Sequence, residues 1–201
     1  KASTPVAPVT EKKVTNPFET EEREILRILL KYFHQEVFKI EDEETHQVNT
    51  YTVGVYVISE LQNDGLVSVN PKVRTILETM EVNLENKEFD PVRYFTHHPD
   101  NEISQYASNL LSEKYIESKR WSKAGAFIET ESEILYLLVP KLIQEYKLKN
   151  VKVLLKDIEQ QIKVATKNND SEKMMELLNQ YQNLKVVMKS LSELLGFRTI
   201  S

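Results

Sequence analysis

His97 and His98, the acids Glu131 and Glu133, the acidic run 41–44, and Trp121 flanked by Lys119, Arg120 and Lys123 are the residues whose types could do chemistry. A bound metal ion needs ligands that converge from one helix face, as His-x-x-x-His or Glu-x-x-His do. The two histidines are adjacent, so on a helix they point about 100° apart. Neither has a partner at such a spacing, and they read as a polar helix-entry turn. Thr130 with Glu133 three residues on is a capping-box pattern, which accounts for Glu131 and Glu133 better than acid–base work does. The run Glu41-Asp42-Glu43-Glu44 reads as a solvated loop rather than a metal site. Trp121 among three cations could stack on a base or a partner, or close over the edge of a helical bundle.

Other chemistries lack their parts. The four glycines, at 54, 65, 125 and 196, cannot form a phosphate-cradling loop, and there is no G-x-S-x-G elbow. Cysteine is absent, which removes thiolate nucleophiles and Cys-ligated metal. We therefore expect no catalytic residue, no metal site and no cofactor in this segment. No run approaches the roughly 20 apolar residues of a membrane span. The expectation is a soluble, cytoplasmic, non-enzymatic interaction domain. Net charge is −5; residues 150–201 hold eight Lys/Arg against six Asp/Glu, or +2, which leaves −7 for the rest. An acidic body argues against direct nucleic-acid binding.

With so few glycines and strong helix formers throughout, the chain reads as all-α: an N-terminal helical bundle, a long connecting helix and a C-terminal helical hairpin. Residues 1–18, with Pro5, Pro8 and Pro17, read as a linker from upstream domains, and the absence of an initiating Met points to a piece of a longer chain. The bundle is expected over 19–149. Its first helix should start near Thr20 as cap and carry Ile25, Leu26, Ile28, Leu29, Leu30 and Phe33. Residues 36–49 read as a loop anchored by Val37, Phe38 and Ile40. Residues 53–58 suit either a strand or a helix ending at Asp64-Gly65; helix is preferred. Pro71 opens a third helix and Asp100 caps one through Ile103, Ala107 and Leu110. Pro140 should bend or break the helix that begins after Thr130, which otherwise runs on past Asn150 as a strut.

The hairpin, 150–201, has two amphipathic arms. Val151, Leu154, Leu155, Ile158, Ile162 and Ala165 recur at helical steps in the first. Met174, Leu177, Leu178, Tyr181, Leu184, Met188, Leu191 and Leu195 do so in the second, with Ser171 as N-cap and Gly196 as C-terminal cap. The stripes could pack only on each other, on the body, or on a partner.

Several stretches together resemble the C-terminal, helicase-binding domain of bacterial DNA primase of the DnaG type. They are Glu21-Glu22-Arg23-Glu24-Ile25-Leu26-Arg27-Ile28-Leu29-Leu30-Lys31-Tyr32, Phe95-Thr96-His97-His98-Pro99-Asp100-Asn101-Glu102-Ile103 with Ala107-Ser108-Asn109-Leu110-Leu111, Leu138-Val139-Pro140-Lys141-Leu142-Ile143-Gln144-Glu145-Tyr146-Lys147, and Leu194-Leu195-Gly196-Phe197-Arg198-Thr199-Ile200. The resemblance implies a bundle whose hairpin docks on the N-terminal domains of the hexameric replicative helicase (DnaB type). It places the zinc-binding and polymerising domains, with their zinc and Mg/Mn, upstream of Lys1. The same plan is similar to the helicase's own N-terminal domain, and two hairpins pairing as a four-helix bundle would make the domain a homodimerisation adaptor instead. The seam is expected at Leu154, Ile158, Ile162, Leu177, Leu184 and Leu191, and the partner contacts at Lys173, Tyr181, Lys185, Phe197 and Arg198.

Overall fold

The computed structural model describes residues 16–41, 46, 48–113 and 130–196. Helix α1, Glu19–Tyr32, is the centre of the bundle because Glu22 and every residue from Ile25 to Leu30 are buried, almost the whole circumference of a helix. Its start differs from expectation. Thr20 does not cap it; Asn16 instead accepts from the Phe18 N–H at 3.0 Å and donates to Glu22 at 2.7 Å.

Residues 36–49 are a second correction. They hold strand β1, Glu36–Glu41, and the start of β2, Val48–Thr52, paired antiparallel as a small two-stranded sheet. Helix α2, Val53–Asn63, follows at once, capped by the Thr52 hydroxyl on Val55 N–H at 3.3 Å and closed by Gly65 at φ +61°. Gly54 lets α2 settle on α1: a Cβ there would lie 2.6 Å from the Phe33 ring.

Helix α3, Pro71–Val82, has proline in its first turn and Asn70 as cap. Helix α4, Pro91–Thr96, is capped by Asp90, and in α5, Asn101–Glu113, Asp100 accepts from the Glu102 N–H at 2.8 Å as expected. These helices bury Val73, Ile76, Met80, Phe95, Ile103, Ala107 and Leu110 around α1.

Helix α6, Leu135–Lys167, is unbroken through both Pro140 and Asn150. Pro140 is only the sixth residue of α6, and its missing N–H would have met the carbonyl of Tyr136, whose side chain is exposed. Before it, only half of the capping box forms: Thr130 N–H donates to Glu133 Oε2 at 2.6 Å, and the threonine hydroxyl donates to the same oxygen. Helix α7, Ser171–Leu194, returns along α6. Asp170, not Ser171, caps it, on Lys173 N–H at 3.0 Å, after a turn in which Asn169 takes φ +53°, and Gly196 ends it at φ +73°. The all-α architecture of bundle, connecting helix and hairpin therefore holds, with one small sheet added.

Two lysines pin α6 to the bundle. Lys147 Nζ meets Glu60 at 2.6 Å and Asp64 at 2.8 Å, and Lys149 Nζ meets Glu21 at 2.6 Å. Next to them the buried Tyr146 hydroxyl donates to Glu22, and burial, then the Glu22 charge, pushes that phenol up to about 12. A raised pKa means the folded chain holds the proton more tightly, so this contribution is present below the ordinary value near 10 and is lost as pH rises toward 12. We expect unfolding free energy to fall by about 2 kcal/mol between pH 10 and 12 from this residue. Urea midpoints across that range should show a flatter decline in Tyr146→Phe.

Candidate partner-docking hairpin

The hairpin is held by few residues. Ile158, Ala165 and Leu177 are its buried cluster, with Ile162, Met174, Tyr181 and Leu184 packed around them. Leu154, expected in the seam, is 49% exposed; its neighbour Leu155 is buried instead. Both fit the apolar period.

The expected contact residues do not form one patch. Tyr181 belongs to the seam, where its hydroxyl donates to Glu159 at 3.0 Å. Lys173 and Lys185 are exposed but twelve residues apart, so they project about 120° apart around α7, on opposite sides of the seam. Phe197 and Arg198 lie outside the described residues.

The side that carries Lys173 also carries the apolar surface. Lys173 shares a shallow cleft with Gln161 and Val164 of α6. Leu154 stands seven residues from Gln161, and Val187 and Leu194 stand fourteen and twenty-one from Lys173, so all three fall on this side. Val187 is 46% and Leu194 67% exposed. Residues at i and i+7 form one stripe, here level with Leu154. Met175 and Val186 are exposed on the back of α7.

The groups that could do chemistry elsewhere are occupied by structure. His98 Nδ1 accepts from the Asp100 N–H at 3.1 Å while its ring stacks on Phe95, and His97 Nδ1 lies 3.0 Å from the Arg93 carbonyl oxygen. Glu131 accepts from the buried Arg27 guanidinium at 2.9 Å and from Tyr32 at 3.0 Å. Burial works against the charge on Arg27, but its bonds to Glu24 and Glu131 outweigh this and hold its pKa above the ordinary value. Bonds from Thr130 lower the pKa of the Glu133 carboxyl. No three His, Asp or Glu side chains converge as metal ligands among the described residues, and no helix there is long and apolar enough to cross a membrane. The residues around Trp121 and the acids at 42–44 lie outside the described residues.

A family model described as a domain of unknown function, DUF8430, matches residues 10–199. No curated protein and no solved structure matches the chain.

Proposed function

The chain belongs to the DUF8430 family, and from its hairpin we propose a non-catalytic, cytoplasmic helicase-binding domain. In this reading it recruits a DnaG-type DNA primase, whose catalytic domains are upstream, to the DnaB-type replicative helicase and so couples primer synthesis to the fork. The observation that carries the reading is the exposed apolar stripe of Leu154, Val187 and Leu194 on a hairpin whose own seam is already filled. A helix-pair surface of this kind is suited to a helical partner, since apolar anchors inside a polar rim supply most of an interface's energy. The sequence resemblance names which partner to try.

The test is a titration of the hexameric helicase with the chain and with Val187→Ser/Leu194→Ser. We expect at least a tenfold loss of affinity, about 1.4 kcal/mol, with helicity by circular dichroism unchanged. Unchanged affinity would move the interface off this face. The same stripe would also suit a second copy. A stable dimer in sedimentation at micromolar concentration that the double variant dissociates, without helicase binding, would turn the reading to homodimerisation.

A further inference from the structure

On the opposite side of the hairpin the charges are sorted. Lys152, Lys156, Lys163 and Lys167 of α6 stand at i, i+4, i+11 and i+15, within an arc of about 60° centred roughly 130° from the seam. All four are exposed, and none is ion-paired among the described residues. Lys185 and Lys189 of α7 join them. Glu159, which borders the α6 stripe, accepts from Tyr181, and Lys185 Nζ sits 5.7 Å from the Tyr181 ring centroid, which brings that lysine to the same side. Lys189 follows one turn on, 3.9 Å from Glu193.

The acids Asp157, Glu172 and Glu176 project elsewhere around the two helices. The near-zero charge of the hairpin is thus an average over unlike faces. Toward the bundle the stripe ends at Lys149, which Glu21 neutralises.

We infer that this lysine face binds the phosphate backbone of nucleic acid. Point-like ammonium groups recognise phosphate by charge alone. Lys152 to Lys167 spans roughly 22 Å along the helix, the rise of about six to seven nucleotides at 3.4 Å each. A protein partner would want apolar anchors among the charges, and lysine is depleted in such interfaces. No apolar side chain lies inside the arc of the four lysines on α6, Val153 standing about 40° beyond its edge, and Leu178, 38% exposed, is the apolar group among the α7 lysines, with Met175 and Val186 behind them on the back of α7. One such residue also gives little for insertion into a lipid surface. The acidic bundle does not cancel the attraction, because Lys163 and Lys167 lie roughly 20 Å or more along the helix beyond Asn150, well over the Debye length of about 8 Å at physiological salt. The inference uses a different face from the docking stripe and does not depend on the helicase reading.

The experiment is fluorescence anisotropy of labelled oligonucleotides of about 20 nucleotides, single-stranded and duplex, with the whole chain at about 50 to 200 mM salt. Four neutralised phosphates predict a log affinity that falls with log salt at a slope of about −3 to −4. Lys152→Gln/Lys156→Gln/Lys163→Gln/Lys167→Gln should lose at least tenfold in affinity at about 100 mM salt and flatten that slope. Val187→Ser/Leu194→Ser should bind oligonucleotide as the parent does. The inference is overturned by no binding at about 50 mM salt, by a quadruple variant that keeps both affinity and slope, or by binding to anionic phosphatidylserine vesicles with none to oligonucleotide.

Discussion

Alanine at Phe95 is expected to lower the stability of the bundle by about 3 to 5 kcal/mol, the largest single effect anticipated for this chain. Phe95 is fully buried, and its ring meets Tyr94 at 5.0 Å and Phe89 at 6.3 Å edge-on, with His98 stacked on it at 6.4 Å. It sits on α4, six residues long, too short to persist without such an anchor. Truncation removes the ring's transfer energy, leaves a cavity, and takes the stacking partner from His98, whose Nδ1 receives the Asp100 N–H at the entry to α5. Against a typical total of 5 to 15 kcal/mol, a loss of this size should move the urea midpoint far down at constant slope. Phe95→Leu, which keeps most of the volume, should lose much less. Equal losses in the two would show that the ring's own contacts, and not the volume it fills, carry the effect, and a small loss in the alanine variant would show that the ring contributes little.

Leu177→Ala should instead melt the hairpin alone. The side chain is 4% exposed and belongs to a buried cluster of three residues, so losing about 2 to 5 kcal/mol there removes a large share of what closes the tip half of α7 on α6. The bundle has its own cluster around α1 that ends at Tyr146, and the hairpin cluster begins at Ile158. Hydrogen exchange should therefore quicken across the amides of α7 while those of α1 keep their protection. Equal acceleration in both helices would mean that the long helix makes bundle and hairpin one cooperative unit.

Much of this fold is legible in the sequence because helices announce themselves twice, by apolar period and by caps. Asp100, Pro71 and Gly65 each mark a boundary that the structure keeps. The sheet was hidden for a physical reason. A register irregularity between Glu36 and Phe38 leaves Val37 and Phe38 both half-buried, so the alternation that betrays a strand is lost. In the hairpin, helical period alone could not choose between Leu154 and Leu155, nor tell a seam tyrosine from a contact one. Lys173 and Lys185 looked equivalent until the seam came between them. The lysine face was missed because net charge sums over a circumference; counting charges by angle around each arm would have exposed it.

The unbroken passage of α6 from bundle into hairpin makes it a lever. Between Asn150 and the turn at Asn168 it extends roughly 26 Å, so a tilt of about 10° at the body would swing the tip by roughly 4 to 5 Å. Load applied at the tip arrives as torque at Lys147 and Lys149, whose ion pairs to Glu60, Asp64 and Glu21 are polar clamps that resist it beside the buried Leu142, Ile143 and Tyr146. Those clamps are electrostatic and partly exposed, so their share of the mounting's stiffness should soften as ionic strength rises, while the apolar packing beside them and the arm itself, stiffened by its backbone hydrogen bonds, should not.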